Sequence, residues 1–275
     1  MRVAVTGGSG KAGRAVVREL LAHDHRVLNV DLVPDPDPVC DFRRVDLQDL
    51  GQVFEVLHRA EAVVHRGAIP GPHLAADGET FHVNMTSSFN VFDAACKIGL
   101  SRVVWASSET AFGFPLAEGD LHYLPVDEQH PTKPKSTYAL SKVLTEDMAR
   151  YFHSRFRVPF VGLRFSNVWE DADYAQVESF QSNPRARSAN AWGYVDARDV
   201  AQACRLGLEA DTTGAEVYVV AAADTLMERS NEDLVAEVFP GVELRDHGRG
   251  HTTLQSIDKA RAELGYSPSH SWRDH

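Results

Sequence analysis

Apolar residues recur along this chain in two periods. Short continuous apolar runs, bounded by glycine, proline and acidic residues, predict buried strands at 2–6, 26–30, 42–47, 62–65, 102–106, 159–165 and 216–220. Segments with apolar positions three and four apart predict helices at 14–22, 48–59, 80–98, 138–152, 199–208 and 231–239. Strands alternating with helices argue for an α/β fold with a doubly wound parallel sheet. Residues 1–168, rejoined by about 195–223, are expected to build it; 169–194 and 224–275 are left for a small C-terminal lobe. The stretch 34–38 alternates proline and aspartate and reads as a stiff loop. A longer loop carries Pro115, Pro125, Pro131 and Pro134, and 170–194 is polar and irregular. No internal repeat or low-complexity tract is present.

The first strand runs straight into Gly7-Gly8-Ser9-Gly10-Lys11-Ala12-Gly13. Gly7 permits a tight turn, Gly10 lets backbone approach a pyrophosphate, and Gly13 packs helix against strand. The helix that follows offers free N–H groups and a partial positive charge to a phosphate. Asp31 ends the second strand eighteen residues after Gly13, close to the spacing of about 20 expected of a ribose-binding acid. Strand before, helix after and acid beyond are the context that a Rossmann-type dinucleotide site requires. The Asp31 carboxylate accepts bonds from ribose hydroxyls and repels a 2′-phosphate, which favours NAD over NADP. Lys11 reads as a solvated lysine at a helix start, or as a charge that softens that preference.

Loops at the carboxyl ends of parallel strands line the ligand crevice. Arg66-Gly67-Ala68, after the strand at 62–65, is therefore expected to wall the cofactor. Arg66 reads either as an anion contact or as half of a surface ion pair. Asp46, at the end of the strand at 42–47, reads as an adenine contact, a helix N-cap, or both. Phe81, Met85, Phe89 and Phe92 form a helical stripe suited to a core or a subunit interface.

Tyr138 and Lys142 are four apart, on one face of a helix. A nearby ammonium is expected to lower the phenol's ordinary pKa of about 10. Such a tyrosine can exchange a proton with a substrate hydroxyl near neutral pH. Ser108, at the carboxyl end of a strand, and Asn84 are candidate partners, with Ser107 an alternative to Ser108.

Together these motifs resemble the extended branch of the short-chain dehydrogenase/reductases, the NAD-dependent epimerase/dehydratase family. The resemblance rests on Thr6-Gly7 through Gly13, Val45-Asp46-Leu47, Val83-Asn84, Ala106-Ser107-Ser108 with Phe112-Gly113, Tyr138-Ala139-Leu140-Ser141-Lys142, Leu163-Arg164-Phe165-Ser166-Asn167, and 193–201. It implies an enzyme that passes hydride between NAD and a carbon bearing a hydroxyl or carbonyl. Tyr138 would be the acid/base, Lys142 would position ribose and tune Tyr138, and Ser108 would bond the reacting oxygen. Asn84 would hold the active-site helix or a relay water, or be a buried amide that fixes a helix bend. Gly7, Gly10, Lys11, Ala12, Gly13, Asp31, Asp46, Leu47, Arg66, Gly67, Ala68, Ser107, Tyr138, Lys142 and Phe165 would contact NAD. Ser108, Glu109, Thr110, Asn167 and Arg187 would contact a sugar-type substrate, with the C-terminal lobe closing over it. A homodimer through the helices at 80–98 and 138–152 is also implied.

Three departures bear on the substrate. Trp192 stands where sugar-nucleotide epimerases usually carry an arginine, Glu170-Asp171 replaces a common Gly-Pro, and the chain is short. They suit a small substrate, by analogy with uronate dehydrogenases, although Glu109-Thr110 differs from the Asn-His those enzymes tend to have. Arg185 and Arg187 would either grip a carboxylate or phosphate, or belong to a basic surface loop. Net dehydrogenation of a free sugar or sugar acid is the leading expectation. A sugar-nucleotide 4-epimerase is the alternative, and a non-catalytic NAD sensor is a third reading that intact Tyr138, Lys142 and Ser108 oppose.

Composition narrows the partners. The chain has 275 residues, 43% hydrophobic and 24% charged, and a net charge of −11. That balance argues against nucleic acid and anionic membranes, both of which need a basic surface. No apolar run approaches the roughly 18 residues of a membrane span. The start of the given chain enters the first strand directly, and no signal peptide is expected. Cys40, Cys96 and Cys204 are scattered, which suits a reducing cytoplasm. His247 and His251 sit among glycines and no metal site is expected.

Overall fold

A strand covered on both faces needs apolar side chains at successive positions, and a parallel sheet provides that setting. The computed structural model describes residues 1–116, 119 and 121–275. Its strands are β1 (Arg2–Thr6), β2 (Arg26–Asp31), β3 (Asp41–Arg44), β4 (Ala62–His65), β5 (Arg102–Ser108), β6 (Tyr123–Leu124), β7 (Phe160–Phe165), β8 (Val168–Trp169), β9 (Val195–Asp196), β10 (Ala215–Val220) and β11 (Glu243–Leu244). Its α-helices are α1 (Lys11–Ala22), α2 (Leu50–Leu57), α3 (Asp77–Ile98), α4 (Thr137–Phe156), α5 (Ala197–Glu209), α6 (Asn231–Val238) and α7 (Asp258–Leu264). Seven strands pair in parallel in the order β10-β7-β5-β4-β1-β2-β3.

Val3 and Val5 of β1 face α1 and α5 in one core, while Ala4 faces α2 and α3 in another. The strand order reverses between β1 and β4, and a crevice opens beyond the carboxyl ends at such a switch point. A third core joins Phe112, Phe114, Trp169, Trp192, Tyr194 and Leu254 above those ends. The short parallel pairs β6–β11 and β8–β9 tie this upper lobe together.

Several boundaries differ from the periodicity. The strand predicted at 42–47 ends at Arg44, because its partner β2 ends at Asp31. After the Val45 N–H bonds the Asp31 carbonyl, the chain leaves the sheet toward the crevice. The helix predicted at 48–59 begins at Leu50, and its cap is Asp49, which accepts from the N–H groups of Gly51 and Gln52. Asp46 closes a local turn instead, accepting from the Gln48 N–H. The irregular stretch 170–194 contains a 3-10 segment at Asp171–Phe180. Helix α7 has no counterpart in the predicted elements; its seven residues are too few for a periodic signal.

Candidate active site

The crevice is a cleft of about 800 Å³ running from Asp31 and Asp46 at one end to Ser108, Glu109 and Tyr138 at the other. The glycine loop forms its floor. Gly7 has φ +67°, and a Cβ there would meet the Gly67 amide nitrogen at 2.7 Å. A Cβ on Gly13 would lie 2.0 Å from the Gly7 carbonyl oxygen, so the turn and the helix start tolerate no side chain. Gly10 precedes α1, and no side chain caps that helix. Its first-turn N–H groups and positive dipole end thus remain available to a phosphate.

The Asp31 end of the cleft is braced from several elements. Asp31 accepts from the Ser9 and Leu32 N–H groups at 3.1 and 2.7 Å. Asn90 on α3 holds the Leu47 carbonyl at 2.9 Å. Thr6 Oγ1 accepts from the N–H groups of both Arg66 and Gly67, which presses this loop against β1. Lys11 lines the cleft and is not merely solvated. Its Nζ pairs with Asp173 at 2.6 Å, and Arg14 pairs with Glu170 at 3.0 Å, so two ion pairs join the start of α1 to the lobe.

Arg66 forms no ion pair among the described residues; that half of the expectation is corrected. Its guanidinium carbon stands 4.7 Å from the centre of the Phe165 ring. Its Nη1 is buried without a hydrogen-bond partner among those residues. A buried, unpaired guanidinium nitrogen in the wall of a cleft is costly unless a ligand oxygen completes it.

At the far end, Ser136 caps α4 and starts the turn that carries Tyr138 and Lys142 inward. Both line the cleft, and both are buried. Lys142 Nζ donates to the Ala106 carbonyl at 2.9 Å and lies 5.4 Å from the Tyr138 ring centre. Burial, helped by the charge of Arg66, pulls the Lys142 ammonium down to about 8. Burial pushes the Tyr138 phenol above its ordinary value, against a hydrogen bond with Ser108 and the charge of Arg66, while the nearby Glu109 charge adds to the rise. This corrects the expectation that the lysine lowers it. Desolvation dominates, and the opposing cation is Arg66.

Ser107 and Ser108 separate cleanly. The Ser107 hydroxyl donates to Glu146 at 2.6 Å, and Glu146 takes both arms of Arg164, at 2.9 and 2.7 Å, in a buried pair. Ser107 is therefore committed, and Ser108 is the serine beside the phenol. Ser108 Oγ also accepts from the Thr110 N–H and hydroxyl at 3.2 and 3.0 Å.

Two candidates do not reach the cleft. Asn84 bonds both the N–H and the carbonyl of Ile69, at 2.8 and 3.2 Å, tying α3 to the loop after β4. Its Nδ2 also lies 3.5 Å from Ser141 Oγ on α4, so this buried amide touches the helix of Tyr138 and Lys142 as well. Arg187 bonds Asn167 Oδ1 and the Gly193 carbonyl at 3.1 and 3.3 Å, with its guanidinium 5.6 Å from the Trp169 ring centre. Asn167 does line the cleft, as do Gly67, Ala68, Thr110 and Phe165. Sequence reading missed Ser166, Asn190 and Gln255, which gather around Glu109 from 57 to 146 residues away. No periodicity or local motif signals such pairs. Among the described residues, no group of three His, Cys, Asp or Glu is placed to hold a metal, and no helix is long and apolar enough to cross a membrane.

A glycine loop, an acid-tipped second strand and a Tyr/Lys helix around one cleft define a dinucleotide-dependent class of protein. The chain belongs to the NAD dependent epimerase/dehydratase family, whose model matches residues 3–177. It is 28% identical over 180 residues to a putative UDP-glucose 4-epimerase of Methanocaldococcus jannaschii, a match covering 61% of this chain and 56% of that protein. It is 29% identical over 170 residues to a uronate dehydrogenase of Pseudomonas putida, covering 60% of each. The chain thus spans less than two thirds of the length of these relatives. A short-chain dehydrogenase/reductase superfamily protein of Agrobacterium tumefaciens, solved with bound NAD, shares its fold with TM-score 0.78 and 23% identity, over 99% of this chain and 94% of that one.

Proposed function

We propose that this protein is an NAD-dependent oxidoreductase acting on a sugar or sugar-like polyol. One observation carries the reading: Tyr138, Lys142 and Ser108 face the same 800 Å³ cleft as the glycine loop and Asp31. The cradle that a Cβ at Gly7 or Gly13 would fill, and the unpartnered Arg66 nitrogen, fit a dinucleotide. Gly7 to Gly13 and the start of α1 would hold its pyrophosphate, Asp31 its adenosine ribose and Lys142 its second ribose. When bound, NAD accepts the hydride as a carbinol becomes a carbonyl, giving NADH and one proton.

The chain's own residues handle that proton. Tyr138 takes it from the substrate hydroxyl or returns it to the carbonyl oxygen, and Ser108 hydrogen-bonds the same oxygen. Arg66 supplies positive charge that favours the phenolate. Loop 66–72, pinned by Asn84, walls the site from bulk water.

Net dehydrogenation of a free sugar is the reading the lobe supports best. Trp192, where a diphosphate-binding arginine would be expected, is fully buried, and its indole donates to the Pro184 carbonyl. It supplies no charge for a nucleotide. The epimerase relative keeps a sugar-nucleotide 4-epimerase as the second reading. Incubation with free sugars and NAD tests the pair: steady growth of NADH absorbance is expected, whereas an epimerase interconverts a sugar nucleotide with no net NADH. No NADH from any free sugar would sink the first reading.

A homodimer is part of the proposal. Phe89 of α3 and Leu140 and Tyr151 of α4 are exposed apolar side chains on two helices packed together, while Phe92 of the same stripe is in the core. Light scattering at the mass of two chains is expected; a monomer would refute it. We assign the protein to the cytoplasm, where its three free cysteines would stay reduced.

A further inference from the structure

Glu109 follows Ser108 directly, opens the 3-10 turn Glu109–Phe112, and lines the substrate end of the cleft, although its residue is only 8% exposed. Its two oxygens are used unequally. Oε2 takes short bonds from Ser166 Oγ at 2.7 Å and Gln255 Nε2 at 2.6 Å. Oε1 has a single long contact, 3.4 Å from Asn190 Nδ2. Gln255, itself fully buried, turns its nitrogen to Glu109 and leaves its own oxygen without a partner among the described residues. Two accepting oxygens, Glu109 Oε1 and Gln255 Oε1, are thus under-used at this end of the site. Among the described residues no cation pairs with Glu109: Arg187 acts on it from a distance, with its Nη2 engaged by Asn167 and Gly193 and its Nε without a partner. Tyr138 is the other titratable group that senses it.

An accepting, uncompensated carboxyl group suits hydroxyl donors and opposes a second carboxylate. We propose that Glu109 sets the substrate class: it accepts a hydrogen bond from a hydroxyl of a neutral sugar and excludes the corresponding sugar acid. This rests on the oxidoreductase reading above and narrows it. Arg187, the cation expected to grip a substrate carboxylate, does not line the cleft, so a uronate would meet the Glu109 charge without that counter-ion. Burial pushes the Glu109 carboxyl up to about 7, so the discrimination is itself pH-dependent: weak when the group is protonated and strong once it ionises.

The test compares matched pairs that differ only in oxidation of the terminal carbon: glucose with glucuronate, and galactose with galacturonate. Initial rates of NADH formation give kcat/KM for each. At about pH 8 the native protein is expected to favour the neutral sugar by at least about tenfold. Glu109→Gln keeps the shape and removes the charge, and is expected to narrow that preference by about tenfold. Should that variant fold poorly, the native protein carries the test alone. Its preference is expected to grow between about pH 6 and about pH 8 as Glu109 ionises. A preference for the uronates, a ratio that Glu109→Gln leaves unchanged, or a ratio flat across that range overturns the assignment. Uronate turnover would overturn it while leaving the oxidoreductase reading intact; no NADH from either series removes both.

Discussion

Replacing Lys142 by methionine should stabilise the protein while destroying its activity. In the folded chain without dinucleotide, the ammonium sits at about 8 rather than its ordinary 10.5, chiefly because burial desolvates it and Arg66 repels it. At about 1.4 kcal/mol per pH unit between those values, a charged Lys142 costs the fold roughly 3 kcal/mol at neutral pH. Methionine fills nearly the same volume and carries no charge. It loses the bond to the Ala106 carbonyl, and leaving that acceptor unpaired costs about 1 kcal/mol. The net gain is therefore about 2 kcal/mol, or a rise of about 5 °C in Tm for a chain of this size.

The pH dependence makes the test specific. A lysine whose folded pKa is depressed penalises the fold fully below that pKa, near 8. The penalty fades as pH rises and is gone above the unfolded value of 10.5. Denaturant unfolding of both proteins without dinucleotide, followed by the fluorescence of buried Trp105, Trp169 and Trp192, reads the difference. At about pH 7 Lys142→Met is expected to be the more stable, and by about pH 10 the difference should have vanished or reversed. A variant less stable than the native protein at neutral pH, or a gain that persists at high pH, would refute the reasoning.

Three other substitutions probe other parts of the site. Gly13→Ala drives a Cβ to within 2.0 Å of the Gly7 oxygen and should weaken NAD binding more than about 100-fold by calorimetry, because the loop must shift. Arg66→Leu removes from the cleft wall the guanidinium whose Nη1 has no partner among the described residues; NAD affinity should fall by roughly 10- to 100-fold, the worth of a charged hydrogen bond, and an unchanged Kd would show that Arg66 does not meet the ligand. Glu146→Leu strands Arg164 in the core and frees Ser107; chemical denaturation should show a loss of about 3–5 kcal/mol.

The parts of the site legible in the sequence are those held by local geometry. Gly7, Gly10 and Gly13 constrain one another within a single turn, and Asp31 braces Ser9 of that loop from the next strand. Tyr138 and Lys142 share a face because four residues make about one helical turn. What stayed hidden depends on groups far apart in the chain. The Lys11–Asp173 pair and the Glu109–Gln255 bond join residues 162 and 146 positions apart, and no period in the sequence carries them. The sequence points to Asp46 as the cap of α2, whereas the structure caps that helix with Asp49. The electrostatics were least accessible. An ammonium four residues from a phenol suggests a lowered phenol pKa, but the balance turns on burial and on Arg66, which arrives from the loop after β4.

The central claim is that Tyr138 exchanges the substrate's proton beside a bound dinucleotide. Tyr138→Phe, measured for NAD affinity and for NADH formation on whichever sugar the native protein oxidises, tests it most directly. The expected result is a Kd for NAD within about twofold of the native value and a kcat lower by about 10²- to 10⁴-fold. Turnover at the native rate in the phenylalanine variant would contradict the account.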